Sequence, residues 1–218
     1  TTLRTNIVGS INLLDACTTL DNCERVVCFS TSEVFGQQAF RSSEEDKTVI
    51  GKVGEARWTY AVSKLAEEHM AIAYYQEKKL PTAVLRPFNI YGSGQSEEFL
   101  IPTLLKKTKT GKIELKDPRP KRDFVYIDDI INACLAALDY DSNTFEIFNL
   151  GTGNSHSIQE LIEIIRNYSQ EEFEIEFTHE YRKHEVLDTI ADITKAKKLL
   201  DWEPKISLEE GVLKMMRA

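Results

Sequence analysis

A strand end rich in hydroxyl groups, Ser30-Thr31-Ser32-Glu33-Val34-Phe35-Gly36, is followed by Tyr60-Ala61-Val62-Ser63-Lys64 and then by Arg86-Pro87-Phe88-Asn89. Tyr60 and Lys64 are four residues apart, so on a helix their side chains leave one face about a turn apart. An ammonium in that position favours the phenolate and lowers a tyrosine pKa from its usual ~10 toward the range of a working general base. A hydroxyl at the end of the preceding strand, Thr31, can then meet the phenol over a bound alcohol. These residue types suit removal of a proton from a sugar hydroxyl while its carbon is oxidised. Spacing alone does not select the pair, because Tyr74 with Lys78 and Tyr75 with Lys79 repeat it. Those two read as ordinary helix-surface residues. Tyr60 differs in standing near the start of its helix, where the chain enters from the loop beyond Ser30-Thr31.

The elements that position these groups follow from periodicity. Leu3, Ile7, Ile11, Leu14 and Cys17 or Thr18 have helical spacing, which predicts a helix over 3–20. Arg25-Val26-Val27-Cys28-Phe29-Ser30 is a short, continuously apolar run, the pattern of a strand buried on both faces of a parallel sheet. Residues 36–56 are polar and contain glycine, and read as a loop. Helical periodicity returns over 57–79 and stops at Leu80-Pro81. Thr82 to Arg86 is the next strand, so the crossover helix is the one that carries Tyr60. This alternation predicts a doubly wound parallel α/β sheet, in which ligands gather at the carboxyl ends of strands; Thr31 and Asn89 lie just past two such ends. Beyond Asn89 the elements shorten: helices at 98–109, 128–138 and 157–168, strands at 113–115, 123–127, 146–149 and 173–177, and two terminal helices.

Composition narrows the function classes. A chain of 218 residues can bury a substantial core, and 42% apolar with 28% charged residues indicates neither disorder nor a fibrous repeat. A formal net charge of -8 repels nucleic-acid phosphates. No apolar stretch approaches the ~20 residues that span a bilayer. The start, Thr1-Thr2-Leu3-Arg4-Thr5-Asn6, lacks the features of a secretory signal and resembles internal sequence. Cys17, Cys23, Cys28 and Cys134 form no CxxC pair and read as reduced thiols of a cytoplasmic protein. His69, His156, His179 and His184 are scattered without ligand spacing, so no metal site is expected.

The motifs together resemble an extended short-chain dehydrogenase/reductase, of the NAD-dependent epimerase/dehydratase family that modifies nucleotide sugars. The similarity runs from Asn6-Ile7-Val8-Gly9-Ser10 to Leu200-Asp201-Trp202-Glu203-Pro204. It implies a Rossmann-like sheet. Residues 1–90 would be the C-terminal half of the dinucleotide-binding domain, and 91–218 mainly a smaller α/β substrate-binding lobe. The strand at 146–149 would belong either to that lobe or to the main sheet. The resemblance implies that Tyr60 takes the proton of the sugar 4-hydroxyl while hydride passes from C4 to NAD. Thr31 would hydrogen-bond the same oxygen, and Lys64 would hold the nicotinamide ribose. Ser30, Pro87 and Phe88 would line the cofactor. Ser32, Asn89, Arg122 and Arg182 would contact the nucleotide-sugar substrate, the two arginines at its diphosphate, where a planar fork pairs two oxygens at once.

Glu33 chooses among reactions. A glutamate in Thr-x-Glu-Val-Tyr-Gly is similar to the dehydratase and decarboxylase pattern, where it acts near C5 once C4 is a ketone; this chain has Phe35 in place of the tyrosine. Arg57-Trp58-Thr59-Tyr60 is also similar to decarboxylases. Where those enzymes carry Arg-x-Pro-Asp, however, this chain reads Thr189-Ile190-Ala191-Asp192, with no cation for a sugar carboxylate. A 4,6-dehydratase is therefore the first expectation and a 4-epimerase the alternative, followed by a decarboxylase or a non-catalytic relative. The chain has no G-x-x-G-x-x-G, and Gly151-Thr152-Gly153 comes too late to replace it, so the first half of the dinucleotide domain is expected upstream. A homodimer through the helices near 3–20 and 57–79 is also expected, with Leu13, Leu65, Met70 and Ile72 as its apolar surface.

Overall fold

The computed structural model describes residues 2–181 and 185–217. Its first half is α1 (Thr2–Thr18), β1 (Val26–Phe29), a 3-10 segment (Ser32–Gln38), β2 (Phe40–Ser42), α2 (Trp58–Lys78), β3 (Thr82–Pro87) and β4 (Asn89–Tyr91). There follow α3 (Leu100–Thr108), β5 (Lys112–Leu115), β6 (Lys121–Arg122), β7 (Phe124–Tyr126) and α4 (Ile127–Leu138). The remainder is β8 (Phe145–Leu150), β9 (His156–Ser157), α5 (Ile158–Tyr168), β10 (Glu174–Phe177), β11 (Ile190–Ala191), α6 (Thr194–Leu200) and α7 (Leu208–Arg217).

A parallel sheet of order β1-β3-β8 organises the molecule. Val26 pairs with Thr82 and Phe29 with Leu85 on one side, and Thr82 with Phe145 through Pro87 with Leu150 on the other. The strand expected near 146–149 is thus β8, a member of this sheet. Successive residues of a strand point to opposite faces. Val84, Cys28 and Val26 pack with Leu14 and Ala71 beneath α1 and α2, while Ala83, Leu85 and Phe148 join Ala133, Ala137 and Ala196 beneath α4 and α6. A core facing both ways explains why β1 and β3 read as unbroken apolar runs. A second core of Tyr91, Leu104, Ile113, Leu161 and Val212, among others, holds α3, α5 and α7 against the shorter strands.

Helix α2 ends where Lys79 turns left-handed, at φ 59°, and donates its N–H to the Tyr75 carbonyl; Pro81 follows and cannot extend the helix. Helix α1 is tied to it by Asn6 Nδ2 donating to Ser63 Oγ at 2.8 Å and by Tyr74 donating to Asp15. Tyr74 is therefore a tether between helices. Leu13 is exposed, as are Leu3, Val8 and Val62, whereas Leu65 and Met70 pack against the cores. No helix among the described residues is long and apolar enough to cross a membrane.

The stretch expected to be a loop, 36–56, contains β2, which pairs in parallel with β11. Three residues show no period of their own, and the partner that makes them a strand lies far along the chain. At the start of this stretch Gly36 has φ +58°, and a Cβ there would sit 2.0 Å from the Val49 carbonyl oxygen. Only glycine allows that turn.

Candidate active site

The site is assembled at the carboxyl ends of β1 and β3. Ser30 donates its N–H to the Leu85 carbonyl at 2.7 Å, which holds the end of β1 against β3. The next residue, Thr31, is extended and caps the 3-10 segment, its Oγ1 accepting from the Glu33 N–H at 3.3 Å. The same hydroxyl lies near the Tyr60 phenol and favours its ionised form. One threonine therefore stands between the first turn of α2 and the start of the 3-10 segment.

Lys64 Nζ donates to the Phe29 carbonyl at 2.6 Å and to Glu67 Oε2 at 2.8 Å. Its charge lowers the Tyr60 pKa, as the spacing predicts. Burial outweighs it, however, with Glu33 and Glu67 adding to the rise, so the phenol lies above its ordinary value of 10.0. Lys64 alone therefore does not bring the phenol below its ordinary value, contrary to what the spacing suggests. Tyr60 as a whole remains 38% exposed.

Glu33, Thr31 and Ser32 line a cavity of about 140 Å³ with Arg57, Asn89 and Arg122. Burial raises the Glu33 carboxyl above 4.5, while the positive charges of Arg57 and Arg122 pull against that rise. Phe88 closes part of the wall at 5% exposure, and Pro87 pairs with Leu150 inside the sheet. A larger cavity, about 470 Å³, adjoins the first between α3 and β5, and Asn89 and Arg122 border both. Arg122 donates to the Val186 carbonyl at 2.7 Å and to Glu185 Oε1 at 2.8 Å. Asp123 behind it is fully buried and accepts from the N–H groups of Thr152, Gly153 and Ala191. The Gly151-Thr152-Gly153 turn is thus an anion-binding turn already satisfied by a resident carboxylate, and is not open to a phosphate.

Ser30 sits differently from its expected place beside a cofactor. It is 3% exposed and its hydroxyl donates to Glu68, which also takes a bidentate pair from Arg86 at 2.8 and 2.6 Å. Arg182 lies outside the described residues. Arg57 and Glu185, which line the cavities, and Glu67, which holds Lys64, are not among the site residues that the motifs mark. The available signals were that Arg57 precedes Tyr60 by three residues and that Glu67 follows Lys64 by three.

Glu33 carries a prediction about stability. Its folded pKa exceeds its unfolded one, so the folded state holds the proton where the unfolded state has lost it, and stability falls as pH rises through that window. Glu33→Gln is therefore expected to melt at a higher temperature than the parent, the gap opening as pH rises from 4.5 and levelling off above the folded pKa. Melting curves across pH check this.

A family described as GDP-mannose 4,6 dehydratase matches residues 1–215. The chain belongs to that family. Its members are NAD-dependent nucleotide-sugar enzymes of the extended short-chain dehydrogenase/reductase type. Over 211 residues the chain is 35% identical to a UDP-glucuronate 4-epimerase of Thermodesulfobacterium geofontis, covering 95% of this chain and 62% of that protein. It is 30% identical to the UDP-N-acetyl-alpha-D-glucosaminuronate decarboxylase of Bacillus cytotoxicus, covering 96% and 67%. The structure of the UDP-glucuronic acid 4-epimerase from Bacillus cereus, in complex with UDP-glucuronic acid and NAD, superposes with a TM-score of 0.86 at 30% identity, covering 98% and 67%. The chain therefore spans 62 to 67% of the length of these relatives.

Proposed function

We propose that this chain carries the acid–base apparatus of an NAD-dependent enzyme that oxidises C4 of a nucleotide sugar, and that the net reaction is 4,6-dehydration, in which C4 remains a ketone and the hydride taken from it returns to C6. The observation that supports this is that Thr31 and Glu33 line one cavity while Tyr60 stands close enough to feel both the Thr31 hydroxyl and the Glu33 charge. Two candidate proton-transfer groups thus lie near each other. Tyr60 would take the proton of the 4-hydroxyl as hydride leaves C4, and Glu33 the C5 proton, made acidic by the ketone at C4; that proton leaves with the C6 hydroxyl as water, and the hydride and the 4-hydroxyl proton return to C6 and C5. A simple epimerase needs only the first. Elimination needs both.

The residues present fit the nicotinamide half of the cofactor. Lys64 and Tyr60 stand together at the strand end, the phenol partly open to solvent, and Lys64 would hold the nicotinamide ribose. NAD, when bound, supplies the acceptor for the C4 hydride. Asn89 and Arg122, between the two cavities, would hold the diphosphate, with the sugar beside Thr31 and the base toward α3. The exposed Leu3, Val8, Leu13 and Val62 support a homodimer through α1 and α2.

Arg57 favours a second reading. The sequence places no cation at Thr189 to Asp192, yet Arg57 and Arg122 line the same cavity as Thr31 and act on the Glu33 charge. Cations there suit a sugar that carries a carboxylate, and so a hexuronate 4-epimerase or decarboxylase. Full-length protein incubated with NAD and a panel of neutral and acidic nucleotide sugars separates these outcomes. Mass spectrometry would show loss of water for dehydration, loss of carbon dioxide for decarboxylation and unchanged mass for epimerisation. Unchanged mass with inverted C4 would replace the first reading by the second.

A further inference from the structure

One buried carboxylate next to the Tyr60–Lys64 pair has no part in the chemistry above. Glu67 is 7% exposed, and its Oε2 accepts from Lys64 Nζ at 2.8 Å. The two side chains are 9% and 16% exposed, so this is not a solvated helix-surface ion pair of negligible effect. Removing both charges from water is costly, and the pair is an expensive way to hold a helix that already packs on both its neighbours. Glu68, the next residue, is committed to Ser30 and Arg86. Glu67 is committed to the lysine.

We infer that Glu67 is a positioning residue for the general base: it pins the Lys64 ammonium at the end of β1 and offsets part of its charge, and so sets the pH at which Tyr60 ionises. This rests on the reading of Tyr60 as the base. Among the described residues, the charged groups that act on Tyr60 are Lys64 and Glu67 from its own helix and Glu33 from the 3-10 segment, with the Thr31 hydroxyl beside it. Cys28 of β1 faces the Lys64–Glu67 pair, and burial pushes its thiol up to about 12, so it stays neutral and adds no charge. Lys64 draws the phenol pKa down, while Glu67 and Glu33 push it up. Without the Glu67 charge, Lys64 keeps the Phe29 carbonyl at 2.6 Å as its anchor and acts on Tyr60 unopposed from that side.

The test uses full-length protein as parent, Glu67→Gln, Glu67→Asp and Tyr60→Phe. The phenolate absorbance of each Glu67 form is titrated without added cofactor, and the Tyr60→Phe titration is subtracted to isolate Tyr60. The acid limb of the pH–rate profile is measured separately with NAD and the sugar identified in the panel. Glu67→Gln is expected to move both the isolated titration and the acid limb about one unit to lower pH. Glu67→Asp, which keeps the charge, stays near the parent. Should Glu67→Gln fail to fold, Glu67→Met supplies the same loss of charge. A Tyr60 titration that stays in place or moves upward on loss of the charge overturns the inference. Turnover that survives Tyr60→Phe overturns the assignment of the base instead, and leaves a shifted titration standing as a property of the trio.

Discussion

Replacing Tyr60 with phenylalanine is expected to lower turnover of the nucleotide sugar by about a hundredfold to ten-thousandfold, the range that a positioned general base contributes. The ring, its place in the first turn of α2 and its packing are retained, and only the oxygen that meets Thr31 is lost. Melting temperature should therefore change little. Substrate affinity should also hold, because Asn89 and Arg122, the proposed diphosphate contacts, are untouched. Single-turnover measurement of NAD reduction reads the step directly. A variant that still reduces NAD at the parental rate would remove Tyr60 from the role of base. Lys64→Met should also slow the step, with a pH profile displaced upward, since the charge that opposes burial of the phenol is gone.

The largest effect on stability is expected at Arg86. Its guanidinium reaches Glu68 with both arms of the fork, the side chains are 4% and 5% exposed, and Ser30 adds a third bond to the same carboxylate. Arg86 also lies over the Phe35 ring at 5.0 Å, and its Nη1 has no hydrogen-bond partner among the described residues. Arg86→Met removes the ionic partner of the buried Glu68 and leaves it only the Ser30 hydroxyl, which costs about 3–5 kcal/mol. Urea denaturation should show that loss. Adding Glu68→Leu should recover most of it, because a pair of apolar side chains replaces the ions without desolvation. A double variant no more stable than Arg86→Met would mean that the pair is held by something other than mutual neutralisation.

What could be read from the chain follows from how locally each element is determined. β1 and β3 were legible because burial on both faces leaves a continuous apolar run, and α2 because its period holds from Trp58 to the Leu80-Pro81 stop. β2, β6, β9 and β11 were not. Each has only two or three residues and becomes a strand through a distant partner, as Ile190 does with Phe40. The proximity of Thr31 to Tyr60 was foreseeable from strand order, and the structure brings Glu33, Asn89 and Arg122 to the same cavity wall. Arg57 was missed because the run that contains it says nothing of where its side chain goes. Glu67 was missed because a glutamate three residues beyond a lysine on a helix is ordinarily a solvated pair. The depression expected of the Tyr60 pKa omitted burial, which a spacing rule does not contain.

Since Asn89 and Arg122 border both cavities, a molecule spanning the two would be gripped at its bridge and not at its ends. Such a frame measures length. For the nucleotide sugar proposed above, the span between the two cavities would be that of a diphosphate, with the monosaccharide toward Thr31 and the base toward α3.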